Sequence, residues 1–186
     1  MGRVSRAQAE ENRRRVVETA SRLFREQGTH ASLTDIMKAA GLTHGGFYKQ
    51  FASKESLVNE ATAHAFGELA RHHENGLEQH GGQRAAAQQA LIDTYLSPEH
   101  RDNPADGCAV AALVTDMARE VEDQEARRIY TEGVGDFAEW LATEDEDGIT
   151  RLCTMLGALV LARATNGSPL SERILTTARA ALSASG

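Results

Sequence analysis

An all-α fold of about nine helices is predicted, with an N-terminal three-helix head and a larger helical body behind it. Three observations predict it. Hydroxyl caps and glycine stops punctuate the chain at helix-length intervals. Apolar positions recur at spacings of three and four rather than two. Only three prolines interrupt 186 residues, while 41% hydrophobic content is enough to bury a core.

The elements follow in order. The first helix runs from about Gln8 to Gln27, with Val16, Ala20, Leu23 and Phe24 as its buried stripe. Ser32 caps the second, with Asp35 three residues on, close to a capping box. That helix passes through Ile36 and ends at Ala40, because Gly41 can turn left-handed without steric cost. Thr43 caps a third helix to about Phe51, and Ser53 caps a fourth through Phe66 and Leu69 to about Leu77. The fourth joins head to body, since no Pro- or Gly-rich linker precedes Gly81-Gly82. A fifth spans about Arg84 to Leu96 and stops at Ser97-Pro98. Pro98 to Asp106 reads as a polar loop. The sixth helix runs from about Gly107 to Arg119, the seventh from about Asp123 to Ala142. The acidic stretch Glu144 to Asp147 is a solvated connection. The eighth covers about Gly148 to Ala164, and the ninth Ser171 to Ser183, with Ser171 as its cap. The division is residues 1–57 for the head and 58–186 for the body.

A helix, a glycine turn and a second helix form a helix-turn-helix, whose second helix enters the DNA major groove. At about 100° per residue, Phe47 and Phe51 share one face of that helix, and Gly45 and Lys49 lie opposite. The phenylalanines pack inward with Ile36, Ala39 and Leu42. Two adjacent glycines, Gly45 and Gly46, cost about 1 kcal/mol each relative to alanine inside a helix. Close approach of the backbone to a groove wall explains them. Relief of packing within the head is the competing explanation.

These residues carry a resemblance. The segment resembles the DNA-binding domain of the TetR/AcrR family of bacterial transcriptional regulators. The matching positions are Gly28, Ser32, Ile36, Ala39, Ala40, Gly41, Leu42, Thr43, Gly45, Phe47, Tyr48, Phe51, Ser53, Lys54 and Leu57. The match covers the first third of the chain; beyond Leu57 only the helical character is shared. One departure is Gln50, where the family usually has histidine. The resemblance implies phosphate contacts from Tyr48 and Lys54. The helix starts at Ser32 and Thr43 present backbone N–H groups suited to phosphate. Base readout falls to His44, Lys49 and Thr43, with Gly45 and Gly46 letting the helix sink deeper.

Charge is divided the same way. Residues 1–57 hold ten Lys and Arg against six acids, a balance of +4 that leaves −11 for the rest of a chain whose total is −7. All three lysines, Lys38, Lys49 and Lys54, lie in the positive part. A basic head on an acidic body fits a nucleic-acid-binding module carrying an effector domain. The run Arg13-Arg14-Arg15 is either part of that basic surface or a solvated helix face.

The body should carry the regulatory input. The resemblance implies a small-molecule effector, of unknown identity, in a pocket among the body helices; no cofactor or metal is expected. Candidates for an apolar wall with polar handles are Phe66, Tyr95, Val110, Leu113, Met117, Tyr130, Phe137 and Trp140. Cys108, near the start of the sixth helix, is a further lining candidate. A thiol there can have a lowered pKa and sense oxidants or electrophiles. Its apolar neighbours and Asp106 oppose that, and a small buried residue is the plainer reading. Cys153 reads as packing. The eighth helix is apolar nearly all round, and the resemblance implies that it and the ninth pair with their symmetry mates. The expected dimer interface is Leu152, Met155, Leu156, Leu159, Val160, Ile174, Leu175 and Ala178.

Other classes fare worse. The histidines form no His-Glu pattern that would set two zinc ligands on one helix face. No strand carries a Gly-rich phosphate loop or a strained serine elbow. An enzyme is not expected. No apolar run is long enough to span a bilayer, the N-terminus has no export signal, and two distant cysteines suit a reducing compartment. The chain is therefore expected in the cytoplasm, as a homodimer on a double-stranded DNA operator, away from membranes. A non-specific architectural DNA-binding protein is the alternative of another class.

Overall fold

Hydroxyl caps and glycine stops cut the chain close to where the sequence predicts. The computed structural model describes residues 6–119 and 124–184. Ten helical segments run through them: α1 (Arg6–Gln27), α2 (Leu33–Ala39), a 3-10 helix (His44–Lys49), α3 (Lys54–Gln79), α4 (Arg84–Tyr95), α5 (Pro98–Asp102), α6 (Ala109–Arg119), α7 (Gln124–Leu141), α8 (Gly148–Ala164) and α9 (Pro169–Ala184). No strand occurs among the described residues. The expected start of the seventh helix at Asp123 lies outside them.

The caps explain the boundaries. The Ser32 hydroxyl accepts from the Asp35 N–H at 3.1 Å and donates to the Asp35 carboxylate at 2.6 Å. Gly41 takes φ +69° and closes α2. Ser53 and Ser56 form a reciprocal capping box at the start of α3. At the other end of the body, the Asp147 carboxylate caps α8 through the Ile149 N–H.

Four expectations need correction. Pro98 to Asp106 is not wholly loop: Pro98 opens α5, where its missing N–H is an orphan anyway, and Ser97 caps it through the His100 N–H. Ser171 does not cap α9, which starts at Pro169; it is fully buried, donating to the Ala162 carbonyl at 2.7 Å and accepting from Arg101. Ala39 faces solvent, and Ala40 takes its place in the core, one residue being enough to rotate the side chain off the inner face. Cys153 is exposed on α8 rather than packed.

Two apolar clusters hold the molecule together. The first gathers Val16, Ala20 and Phe24 of α1 with Ile36, Met37, Phe47, Phe51 and Leu57. It also takes in Leu113 and Met117 of α6 and Ala126 of α7. The second lies in the body around Ile92, Tyr95, Phe137, Leu141, Leu152, Met155, Leu159 and Leu175. Tyr130 packs against both, and its hydroxyl donates to the Val110 carbonyl at 2.9 Å. Helix α3, 26 residues long, runs without a break from the first cluster into the second.

Polar links reinforce that continuity. At the far end of α6, Asp116 accepts from the Thr29 N–H at 2.6 Å and so holds the turn between α1 and α2. Just before its near end, Arg22 pairs with Asp106 at 2.9 Å and Arg25 donates to the Gly107 carbonyl at 3.4 Å, while Arg25 also pairs with Glu68 of α3 at 2.9 Å. Helix α6 is thus fastened to the head at both ends.

Candidate nucleic-acid interface

The inner face of the two-helix unit is closed. Phe47 is fully buried and stacks on Phe51, with ring centroids 5.3 Å apart and planes 19° from parallel. The segment from His44 to Lys49 winds as a 3-10 helix, with the Gly46 N–H bonding Thr43 and the Gln50 N–H bonding Phe47. Six residues with two glycines near the start lack the propensity for a full α-helix. The facing predicted from helical spacing survives, since Gly45 and Lys49 are both exposed.

The outer face is unusually unprotected. Tyr48 is 65% exposed, with only edge contacts to His44 and Phe47. His44 and Thr43 are exposed as well. Thr43 occupies the cap position but its hydroxyl makes no capping bond. Lys54 is half-buried at the first turn of α3. Ser32 is exposed, yet its hydroxyl is engaged by Asp35, which sets a carboxylate at that helix end.

Glycine at 45 and 46 answers no internal need. A methyl group added at Gly45 would meet nothing within 4 Å, and at Gly46 only ordinary contacts of 3.8 Å. Neither has positive φ. The packing explanation of the pair therefore fails.

Ion pairing sorts the cations. Arg13 pairs with Glu60, donates to the Gln50 carbonyl and lies 4.3 Å above the Phe51 ring. Arg14 is shared between Glu11 and Glu18, and Arg15 bonds Asn12. The arginine run is thus divided between structure and solvent. Among the described residues, Lys38, Lys49 and Lys54 form no ion pair. Lys38, exposed in the last turn of α2, belongs with this group; its position outside the second helix hid it from sequence reasoning.

The effector candidates do not gather round one cavity. Tyr95 and Cys108 line a cavity of about 290 Å³ together with Arg25, Glu68, Leu91 and His100. Phe66, Phe137 and Trp140 line a second of about 280 Å³ with His73 and Asp136. Val110 and Tyr130 line a third, an apolar groove of about 600 Å³ along α6, α7 and α8. Leu113 lines none of these, being buried in the head's cluster, and Met117 lines only a small recess beside Thr29 and Val58. Both are therefore packing residues between head and body.

Burial sets the protonation of the body. It pushes the Cys108 thiol up, against thiolate formation. His73, stacked on Trp140 with centroids 4.3 Å apart, is lowered to about 4 by burial and then by the nearby His72. His100 is also pushed down by burial. Among the described residues, no group of three or more His, Cys, Asp and Glu is arranged to hold a metal ion, and no helix is long and apolar enough to cross a membrane.

The dimer candidates divide too. Leu152, Met155, Leu159 and Leu175 are buried inside the protomer and are spent on its own core. Val160 is exposed and Leu156, Ile174 and Ala178 are half-buried, so only these four remain for a partner. Ile149 and Leu161, 60% and 56% exposed on α8, and Leu170, exposed at the start of α9, lie outside that expected set. An all-round apolar helix gives no signal of which side the protomer itself will claim.

Comparison with known proteins agrees with this geometry. Residues 16–61 match the model of the family described as bacterial regulatory proteins, tetR family. A stretch of 61 residues is 41% identical to the HTH-type transcriptional regulator AcrR of Shigella flexneri, spanning 32% of this chain and 28% of that one. Over nearly the whole length the fold is similar to a TetR transcriptional regulator from Chloroflexus aurantiacus, with TM-score 0.75, 24% identity, and 96% of this chain and 95% of that one covered. It is likewise similar to the reduced form of E. coli NemR, with TM-score 0.73, 19% identity, and coverage of 92% and 95%. At such identities the likeness of the body is one of fold.

Proposed function

From its membership of the TetR/AcrR family of transcriptional regulators, we propose that this chain binds a palindromic DNA operator as a homodimer and is a repressor released by a small molecule. Residues 1–57 read DNA in this account, and residues 58–186 bind the effector and the second subunit. The observation that carries it is the outer face of the two-helix unit. Two lysines without an ion pair among the described residues, Lys38 and Lys49, an exposed tyrosine and two glycines without internal purpose lie beside a fully packed inner face, and Lys54 at the first turn of α3 is likewise unpaired. Cations without partners are what a polyanion attracts, and glycines in open space permit close approach.

Lys54 and Tyr48 hold phosphate; His44, Lys49 and Thr43 reach the base edges. The dimer is formed by α8 and α9 through Ile149, Leu156, Val160, Leu161 and Ile174, with Ala178 at its edge. Two heads on a two-fold axis double a readout that one short helix cannot make specific. An effector acts by binding one head spacing better than the other, and α6, tied to the head through Asp106 and Asp116, is the element it must move. Sensing through the Cys108 thiol is the weaker account, because a buried thiol of raised pKa is a poor nucleophile.

The test is selection of bound DNA from a random duplex pool, followed by titration of the winning sequence at several salt concentrations. A palindrome bound by two chains supports the regulator. Binding without sequence preference would instead make the chain an architectural protein.

A further inference from the structure

Two residues that line the cavity where α1 of the head meets the body each carry a buried polar atom without an oxygen or nitrogen partner. Arg25 lines it with a side chain only 7% exposed; its Nη2 pairs with Glu68, and Nη1 reaches the Gly107 carbonyl at 3.4 Å. Its Nε, though buried, has no partner. Tyr95 is 4% exposed, and its hydroxyl meets only the Cys108 thiol, a weak hydrogen-bonding partner, with no oxygen or nitrogen partner. A buried polar group without a partner costs its desolvation without return, so two on one cavity call for a cause.

Most other polar groups at the cavity are engaged; His72, which also lines it, is exposed. His100 donates through Nδ1 to the Tyr95 carbonyl at 2.8 Å and accepts the Cys108 N–H on Nε2 at 3.2 Å, which fixes it as the neutral tautomer. The Thr94 hydroxyl bonds the Ala90 carbonyl. Asp106 is held by Arg22, and Glu68 by Arg25 with His64 at 3.5 Å. The two buried groups left unmet, the Arg25 Nε–H and the Tyr95 hydroxyl, can both donate. Apart from His72, the rest of the wall is apolar, through Ala65, Leu69 and Leu91. An anion would face Glu68 and Asp106, so a neutral acceptor is favoured.

We propose that this cavity, at the joint of head and body, binds a small neutral molecule that is mostly apolar and carries a carbonyl-type acceptor for Arg25 Nε and the Tyr95 hydroxyl. The inference deepens the effector-controlled reading by naming its site and ligand class. It also gives the ligand a route to the head. Arg25 belongs to α1, and an acceptor that draws its guanidinium alters the pairing with Glu68 that holds α1 against α3. The opposite wall is equally constrained: a methyl group at Gly107 would meet Arg163 Nη2 and the Asn103 carbonyl at 3.0 Å. Displacement on the ligand side therefore passes to α1 rather than into slack beside the loop.

Acetophenone and cumene have nearly the same shape, and only the first has an acceptor. Their binding to the full-length protein is measured by titration of backbone amide resonances, in wild type and Tyr95→Phe. The variant should fold and melt no lower than wild type, because the lost hydroxyl had no oxygen or nitrogen partner. Acetophenone should shift the amides of residues 106–109 and bind more tightly than cumene. Tyr95→Phe should weaken acetophenone about three- to tenfold, the worth of one hydrogen bond, and leave cumene unchanged. Equal binding of the two probes, no binding of either, or an unchanged acetophenone affinity in the variant would overturn the assignment. These readouts need no DNA, so they stand apart from the operator selection. Weakening of the selected complex by acetophenone in wild type but not in Tyr95→Phe would tie site to regulation.

Discussion

At the scale of single residues, the lysines and histidines carry the sharpest consequences. Lys54 is a phosphate group's partner in this reading, so Lys54→Ala should weaken binding to every sequence alike and reduce the slope of log affinity against log salt by about 1. Lys49→Ala should instead relax the preference at one base position of each half-site, by about 1–3 kcal/mol of discrimination; an unchanged preference in a repeated selection would remove Lys49 from the readout. His73 bears on stability. Its folded pKa of about 4 lies below the unfolded value, so the unfolded chain binds the extra proton as pH falls between about 6.5 and 4. Stability is complete above that window and declines through it. His100, lowered in the same direction, adds to the loss. The decline for His73 should be on the order of 2 kcal/mol between pH 7 and 5. His73→Phe, which keeps a ring against Trp140, should remove that part of it. Trp140, the chain's single tryptophan, reports the unfolding by fluorescence.

At the scale of elements, the proposed DNA contact sets function against local stability in the 3-10 helix. Glycine at 45 and 46 serves neither packing nor backbone conformation. Gly45→Ala should therefore raise stability, by up to about 1 kcal/mol, and Gly46→Ala should do no worse than leave it unchanged. Both should weaken operator binding, because a methyl group holds the backbone off the groove. A variant more stable and equally tight would show that the glycines have no role at the DNA. Helix α6 shows the complementary case, an element whose contacts serve two bodies at once. Leu113 and Met117 look like pocket residues by composition and are packing by position.

At the scale of the whole molecule, the exposed apolar side of α8 separates assembly from folding. Ile149→Asp with Leu161→Asp places charge only where the protomer meets solvent. The pair should leave the melting temperature nearly unchanged and give a monomer in sedimentation, with operator affinity falling steeply as half the contacts are lost. Leu159→Asp, by contrast, puts an unpaired charge in the core and should prevent folding. If the double variant sedimented like wild type, a different face would have to form the dimer.

The sequence by itself determined the helix class, the caps at Ser32 and Ser53, the glycine stop at Gly41 and the inward phenylalanines, because each depends on residues within one or two turns. It also carried the family through the head, where local spacing and fixed side chains coincide. Only the tertiary structure decided which apolar faces of α8 the protomer keeps, since Leu159 and Leu161 look alike until α9 packs against one side. The same holds for Arg13 and Arg14, whose partners Glu60 and Glu11 lie at very different distances along the chain. The unmet groups of Arg25 and Tyr95 lay beyond any local reading for the same reason. Whether a buried donor finds a partner depends on three or four segments brought together by folding, and no spacing in the sequence records it.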